Sequence, residues 1–261
     1  MAYFEVNGQR IHHIDSGGDG PPVLFSHGFY MDHQMWDPQV EVLRERYRCI
    51  TWDERGWGQT PPSGGGFTCW DLASDAVRLL DHLDVENAVW CGMSQGGFLS
   101  LRAALADPDR VKALVLIDTS PGEEHPETVA LYEAMLDQAL EHGLDDALIE
   151  SICAVLFSPG FDASAWKAKM AARPPSLVID AFACMVRRDE ISARLGEITC
   201  PTLVLHGELD AAFPVDEAAT WASEIPGLVD FVRVPDSGHT ANLENPAVVN
   251  AALVDFLDGI S

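Results

Sequence analysis

Short apolar runs alternate with amphipathic stretches along the first half of the chain, the rhythm of strands and covering helices. Tyr3 to Ile14 reads as a hairpin that turns at Asn7-Gly8. After a loop of glycine, aspartate and proline at 17–22, Val23-Leu24-Phe25-Ser26 reads as a buried strand running into His27-Gly28-Phe29. The next helix is predicted to carry Trp36, Val40, Leu43 and Tyr47 on one face. Arg48 to Trp52 is a strand ending in Asp53-Glu54-Arg55-Gly56-Trp57-Gly58. A helix starts after Thr68, its expected N-cap, where Asp71 makes a weaker capping box than glutamate would. Ala88 to Cys91 and Val111 to Ile117 read as further strands, the second ending at Asp118. Between them Phe98 to Ala106 is a helical run stopped by Asp107-Pro108. This alternation predicts a parallel sheet covered on both faces.

The pattern changes between about 119 and 199. Helical periodicity runs through Leu131–His142, Ala147–Phe157 and Ile179–Arg187 without a strand signal. That is too long for one crossover, so a helical cap inserted over the carboxyl edge of the sheet is expected, within a single domain spanning 1–261. Strands resume at Thr202–Leu205 and Val229–Val234, around a helix at about Asp216–Ile225. A last helix has Asn245 as N-cap, Pro246 at its first position and Gly259 past its end.

Composition narrows the function classes. The chain has 261 residues, 47% hydrophobic and 22% charged, enough for one substantial core. Its 41 acidic against 16 basic residues give a formal charge of −25. Such a surface repels phosphate backbones and anionic membranes, so neither nucleic acid nor a membrane is an expected partner. No secretory signal pattern opens the chain, and the six cysteines lack any C-x-x-C pair. Reduced thiols in a cytoplasmic protein are expected, with no metal site and no cofactor.

The candidate chemistry centres on Gly92-Met93-Ser94-Gln95-Gly96, a G-x-S-x-G pattern. The bare pattern arises by chance in about one chain in ten of this length. Here a predicted strand precedes it and a predicted helix follows, the context of a nucleophile elbow. Small neighbours are needed because a serine on so sharp a turn leaves no room for side chains.

With three further features the chain resembles the α/β-hydrolases over essentially its whole length. These are His27-Gly28-Phe29, Asp53-x-Arg55-Gly56-x-Gly58, and the late Asp210 and His239. The resemblance implies an eight-stranded, mostly parallel sheet with helices on both faces and an inserted helical cap. It also implies Ser94 as nucleophile, His239 as its base and Asp210 as the orienting acid, in the family's Ser, Asp, His order. The backbone N–H groups of Phe29 and Gln95 would form the oxyanion hole, with Gly28 letting the Phe29 amide turn toward the substrate. Asp118 also ends a strand and is the competing acid. His27 and His206 are expected in structural roles, Asp53 as a brace for its glycine-rich loop, and Glu123 and Glu124 in a solvated run. Met93, Phe157, Trp166 and Phe182 are the expected substrate-pocket residues.

Within the family a serine at the elbow argues against haloalkane dehalogenases and epoxide hydrolases, which use a carboxylate. Thr240 departs from the lysine of hydroxynitrile lyases, and Met93 and Gln95 from the tryptophan of proline iminopeptidase elbows. The likeness is greatest to small esterases and enol-lactonases. Hydrolysis of small to medium, mainly uncharged acyl or aryl esters by a monomer or homodimer is therefore expected. Lactone ring opening, then carbon–carbon bond hydrolysis, then a non-catalytic ligand-binding role are the alternatives.

Overall fold

The computed structural model describes residues 2–260. Eight strands form one sheet in the order β1-β2-β4-β3-β5-β6-β7-β8. They are β1 (Ala2–Val6), β2 (Gln9–Asp15), β3 (Pro22–Ser26), β4 (Arg48–Trp52), β5 (Ala88–Met93), β6 (Val111–Ile117), β7 (Thr202–Gly207) and β8 (Leu228–Val234). β1 and β2 form the antiparallel hairpin. Asn7 and Gly8 both have positive φ, 49° and 75°, as the tight turn demands. β2 is also antiparallel to β4, and the other six strands run parallel.

Period-two alternation sorts the side chains of these buried strands onto two cores. Leu24, Ile50, Trp90, Leu114, Leu116 and Val204 join one core, which α2 (Cys69–His82) and α3 (Gln95–Ala106) cover through Leu72, Leu79 and Phe98. Val23, Phe25, Cys91, Val115, Ile117 and Leu205 join the other, where Leu43 of α1 (Asp37–Leu43) and Leu253 and Leu257 of α10 (Pro246–Gly259) pack. Because both faces are covered at the centre of the sheet, β3 and β5 read as apolar runs.

Several local expectations change. The helix predicted from Trp36 to Tyr47 is α1 alone, flanked by a 3₁₀ turn at His33–Trp36 and a loop that brings Tyr47 back into the core. Its buried polar residue, Gln39, donates to the Asn242 carbonyl and to Asn250 Oδ1. Thr68 and Asp71 complete the capping box: the Thr68 N–H donates to Asp71 Oδ2 at 2.7 Å, and the Asp71 N–H to Thr68 Oγ1 at 3.3 Å. Gly259 is the last residue of α10 and not the one past its end.

Between β6 and β7 lie four helices: α4 (Pro126–His142), α5 (Asp146–Leu156), α6 (Ser164–Ala172) and α7 (Ile179–Val186). The segment 119–199 contributes no strand among the described residues. Beyond β7 come α8 (Val215–Ala222) and the one-turn α9 (Ala241–Glu244). β3 sits between β4 and β5, so the chain leaves its carboxyl end in one direction and that of β5 in the other. This switch point opens a crevice at the carboxyl edge, and the loops carrying Phe29 and Ser94 border it.

Candidate active site

Ser94 stands between β5 and α3 at φ 50°, ψ −112°, a conformation that non-glycine residues adopt only under constraint. The constraint is visible on both sides. A Cβ on Gly92 would lie 2.1 Å from the Gly96 carbonyl oxygen, and one on Gly96 2.0 Å from that of Ser26. The Ser94 N–H donates to the Ile117 carbonyl at 2.9 Å, and Thr119 Oγ1 donates to the Ser94 carbonyl at 2.8 Å. Gly92→Ala should therefore force strand and helix apart and cost roughly 3 kcal/mol or more of folding stability. Urea unfolding measures this, and a loss below about 1 kcal/mol would show that the joint relaxes freely.

Around Ser94 the late loops converge. Ser94 Oγ donates to His239 Nε2 at 2.9 Å, and His239 Nδ1 donates to Asp210 Oδ2 at 2.9 Å. Asp210 Oδ1 accepts from the N–H groups of Ala212 and Phe213 at 2.8 and 3.1 Å. His206 Nε2 is 2.8 Å from the Phe213 carbonyl and 3.0 Å from Asp210 Oδ2, and donates toward both. Burial alone would lower the His239 pKa, but the charge and hydrogen bond of Asp210 lift it above the ordinary 6.5. Burial would likewise raise Asp210. The charge of His239 and the hydrogen bonds from His206 and His239 instead hold its carboxyl well below the usual range.

Asp118 is differently engaged. Its Oδ1 accepts from Gly207 N–H at 2.7 Å and its Oδ2 from Ala241 N–H at 2.8 Å, so it ties β7 to α9 and does not touch His239. Burial pushes its pKa up to about 6, against the opposing pull of His206. Asp53 accepts from His12 Nδ1, from the N–H and Nδ1 of His33, and from the Gln59 N–H, the bracing role its loop implied. The trios Asp118–His206–Asp210 and His12–His33–Asp53 each have ligand atoms within 4.8 Å of one another, the spacing a cation could use. In both, the carboxylate oxygens are already taken by N–H donors.

A buried rail behind the segments of Phe29 and Gln95 has no counterpart in the sequence motifs. Gln95 Nε2 donates to Glu54 Oε2 at 2.5 Å, the Glu54 N–H donates to His27 Nε2 at 3.0 Å, and His27 Nδ1 donates to the Gly28 carbonyl at 2.8 Å. Glu54 is fully buried, and burial holds its pKa well above the carboxylate range. The rail joins the segment of Gln95 to that of Phe29. Gln95 is also the first residue of α3, whose N–H has no acceptor within the helix. Gly28 is not in the left-handed region, and a Cβ there would lie 2.5 Å from Met93 Sδ, the movable end of a flexible side chain.

The cavity reached by Ser94 and His239 measures about 90 Å³. Its walls are largely apolar, with Phe29 and Tyr30 on one side, Tyr132 and Met135 from α4, Ile152 and Leu156 from α5, and Phe182 from α7. Of the four expected pocket residues only Phe182 lines it. Met93 is a strand residue pointing into the core beneath Gly28. Phe157 stacks on Phe161 at 4.9 Å, and Trp166 packs in the same core beneath Lys169, whose Nζ lies 4.1 Å from its ring. Glu124, expected in a solvated run, instead lines the cavity and pairs with Arg188 at 2.9 Å. The other arginines of this region lie outside it: Arg173 lies over the Trp57 ring in a separate cleft of about 640 Å³, Arg187 pairs with Glu133, and Arg194 with Glu197. A periodicity reading places α5 and α7 but cannot say which of their faces is wet. The buried charges are missed because, in sequence, they look like any exposed pair.

The chain is similar in sequence to a putative carbamate hydrolase, RutD, of Variovorax paradoxus, with 31% identity over 99% of this chain and 97% of that protein. Among solved structures it is similar to a thermophilic esterase from Thermogutta terrifontis, with 29% identity, a TM-score of 0.89, and coverage of 99% and 97% of the two chains. It is also similar to the enol-lactonase of Burkholderia xenovorans LB400, with 25% identity, a TM-score of 0.90, and coverage of 98% and 100%. A family model described as the alpha/beta hydrolase fold matches residues 21–246. Eight mostly parallel strands, these relatives and that match together establish that the chain belongs to the α/β-hydrolase family, on its esterase and enol-lactonase branch.

Proposed function

We propose that this hydrolase cleaves small to medium, uncharged carboxylic esters through a Ser94 acyl-enzyme. The observation that carries the reading is the continuous relay from Ser94 Oγ through His239 to Asp210, 2.9 Å at each step, at the mouth of an apolar cavity. A serine hydroxyl is a weak nucleophile near neutral pH and needs a base within hydrogen-bond reach. His239 takes the Ser94 proton as Oγ adds to the ester carbonyl, then delivers it to the departing alkoxide. Water, activated by the same imidazole, releases the acid. Asp210 keeps the proton on Nδ1 so that Nε2 is free to accept, and stabilises the imidazolium. The N–H groups of Gln95 and Phe29 stabilise the tetrahedral oxyanion. Helices α4–α7 act as the cap that keeps water from the acyl group. Six unpaired cysteines, five of them buried, fit a reducing cytoplasm.

The test is turnover of p-nitrophenyl esters of increasing chain length beside a six-membered lactone and a p-nitrophenyl carbamate. Acetyl to butyryl esters should be hydrolysed fastest. Faster lactone opening would move the assignment to the lactonase alternative, and no turnover of any substrate would favour a ligand-binding role. The pH profile adds an independent check. Protonated His239 cannot accept the Ser94 proton, so activity is lost as pH falls. Because its pKa is raised, the acid limb of kcat/KM should have its inflection above 6.5. An inflection near 5 would contradict His239 as the base.

A further inference from the structure

Apart from His239, Arg188 and Glu124 are the charged side chains that line the catalytic cavity among the described residues. Their side chains are only 1% and 10% exposed. Arg188 Nε donates to the Gly122 carbonyl at 2.7 Å, and Nη1 donates to Glu124 Oε2 at 2.9 Å and to the Met185 carbonyl at 3.0 Å. Nη2 takes part in none of these bonds. The guanidinium lies 4.3 Å from the Phe98 ring centre and 5.7 Å from that of Phe213, whose edge meets the His239 ring at 5.4 Å. One aromatic ring therefore separates Arg188 from the catalytic imidazole.

If this pair served only to join residues 122–124 to the end of α7, packed apolar side chains would do so without the cost of desolvating two charges. What the ion pair supplies, and a hydrophobic clamp would not, is a fixed N–H donor at the wall of an otherwise apolar chamber. Glu124 already neutralises the guanidinium, so a second carboxylate there would leave a net negative charge in a poorly solvated space. The formal charge of −25 on the whole molecule adds a long-range field against anionic substrates.

We propose that the Nη2 edge of Arg188 is a substrate subsite for a neutral oxygen acceptor, such as a ketone, ester or amide carbonyl, borne on the acyl chain a few bonds from the scissile carbonyl. Glu124 is the element that turns away acyl chains ending in a carboxylate. The inference rests on the Ser94 mechanism and adds what that mechanism leaves open, the chemistry of the acyl group.

Three p-nitrophenyl esters of nearly equal length test it: hexanoyl, 5-oxohexanoyl and the glutaryl monoester. In the parent protein kcat/KM should rank 5-oxohexanoyl above hexanoyl, and hexanoyl above glutaryl. In Arg188→Met the ratio of 5-oxohexanoyl to hexanoyl should fall on the order of tenfold, the weight of one hydrogen bond to a charged group. In Glu124→Gln, which keeps the shape and the arginine, the ratio of glutaryl to hexanoyl should rise on the order of tenfold. Ratios cancel any general loss of active protein, and the parent ranking needs no variant at all. A parent that prefers the glutaryl ester, or one with no preference for 5-oxohexanoyl over hexanoyl, would overturn the subsite while leaving ester hydrolysis intact. If the parent hydrolyses none of the three but turns over p-nitrophenyl acetate, the subsite fails alone; if it turns over neither, the Ser94 reading fails and this inference with it.

Discussion

Ser94→Ala should lower kcat/KM for p-nitrophenyl acetate by roughly 10⁴–10⁶-fold while the protein stays folded. The loss is large because the relay acts as a unit: without Oγ, His239 has no proton to take and no covalent intermediate forms. What remains is the rate that oxyanion binding alone lends to attack by water. The fold should tolerate the change, since the serine is held by its backbone bonds to Ile117 and Thr119 and not by its side chain. Alanine also meets no new steric conflict at a turn already shaped for a Cβ. A circular dichroism melt beside the kinetics separates the two effects. Equal turnover in parent and variant would mean that hydrolysis does not pass through Ser94.

The second large effect distinguishes two buried carboxylates. Asp210→Asn should cost on the order of 10⁴-fold in kcat with little change in KM. The geometry dictates the sign. Two backbone N–H groups claim Oδ1 of Asp210, so the amide oxygen of an asparagine would stay with them. Its NH₂ would then face His239 Nδ1 and force that nitrogen to accept, which puts the proton on Nε2 and removes the base from Ser94. Asp118→Asn should act otherwise. Each Asp118 oxygen accepts a different backbone N–H, so an amide group there opposes one donor with another and weakens the β7–α9 tie. A loss of about 1–3 kcal/mol in stability is expected, with kcat within about tenfold of the parent. If Asp118→Asn were the crippling change and Asp210→Asn the mild one, the acid would have been misassigned.

The central strands were legible because both sheet faces are covered there, which makes β3 and β5 apolar runs, whereas the edge strand β8 carries Asp230 and Arg233 and stays largely exposed. The sharp turn at Ser94 was legible for a related reason: a strained serine leaves a mark in its neighbours, and Gly92 and Gly96 are that mark. Features that depend on where chain segments meet were not. A helical face running from Trp36 to Tyr47 looks continuous in sequence, yet the chain reaches those four positions through a 3₁₀ turn, a short helix and a loop. Met93 sits beside Ser94 in sequence, but its side chain packs beneath Gly28 in the core and is not part of the cavity wall. Glu54 occupies a variable place in a motif, and only its contact with Gln95 shows why an acid is buried there. Glu124 and Arg188 are 64 residues apart, and nothing local shows that they share a chamber wall.

Covalent hydrolysis requires that the acyl group of the substrate pass through Ser94 Oγ. Rapid acid quenching of the enzyme during turnover of p-nitrophenyl acetate, followed by intact and peptide mass spectrometry, tests it most directly. The peptide containing Ser94 should gain the mass of one acetyl group, and Ser94→Ala should show no such gain. Steady hydrolysis by the parent with no such adduct, or an adduct on another residue that turns over at the same rate, would contradict it.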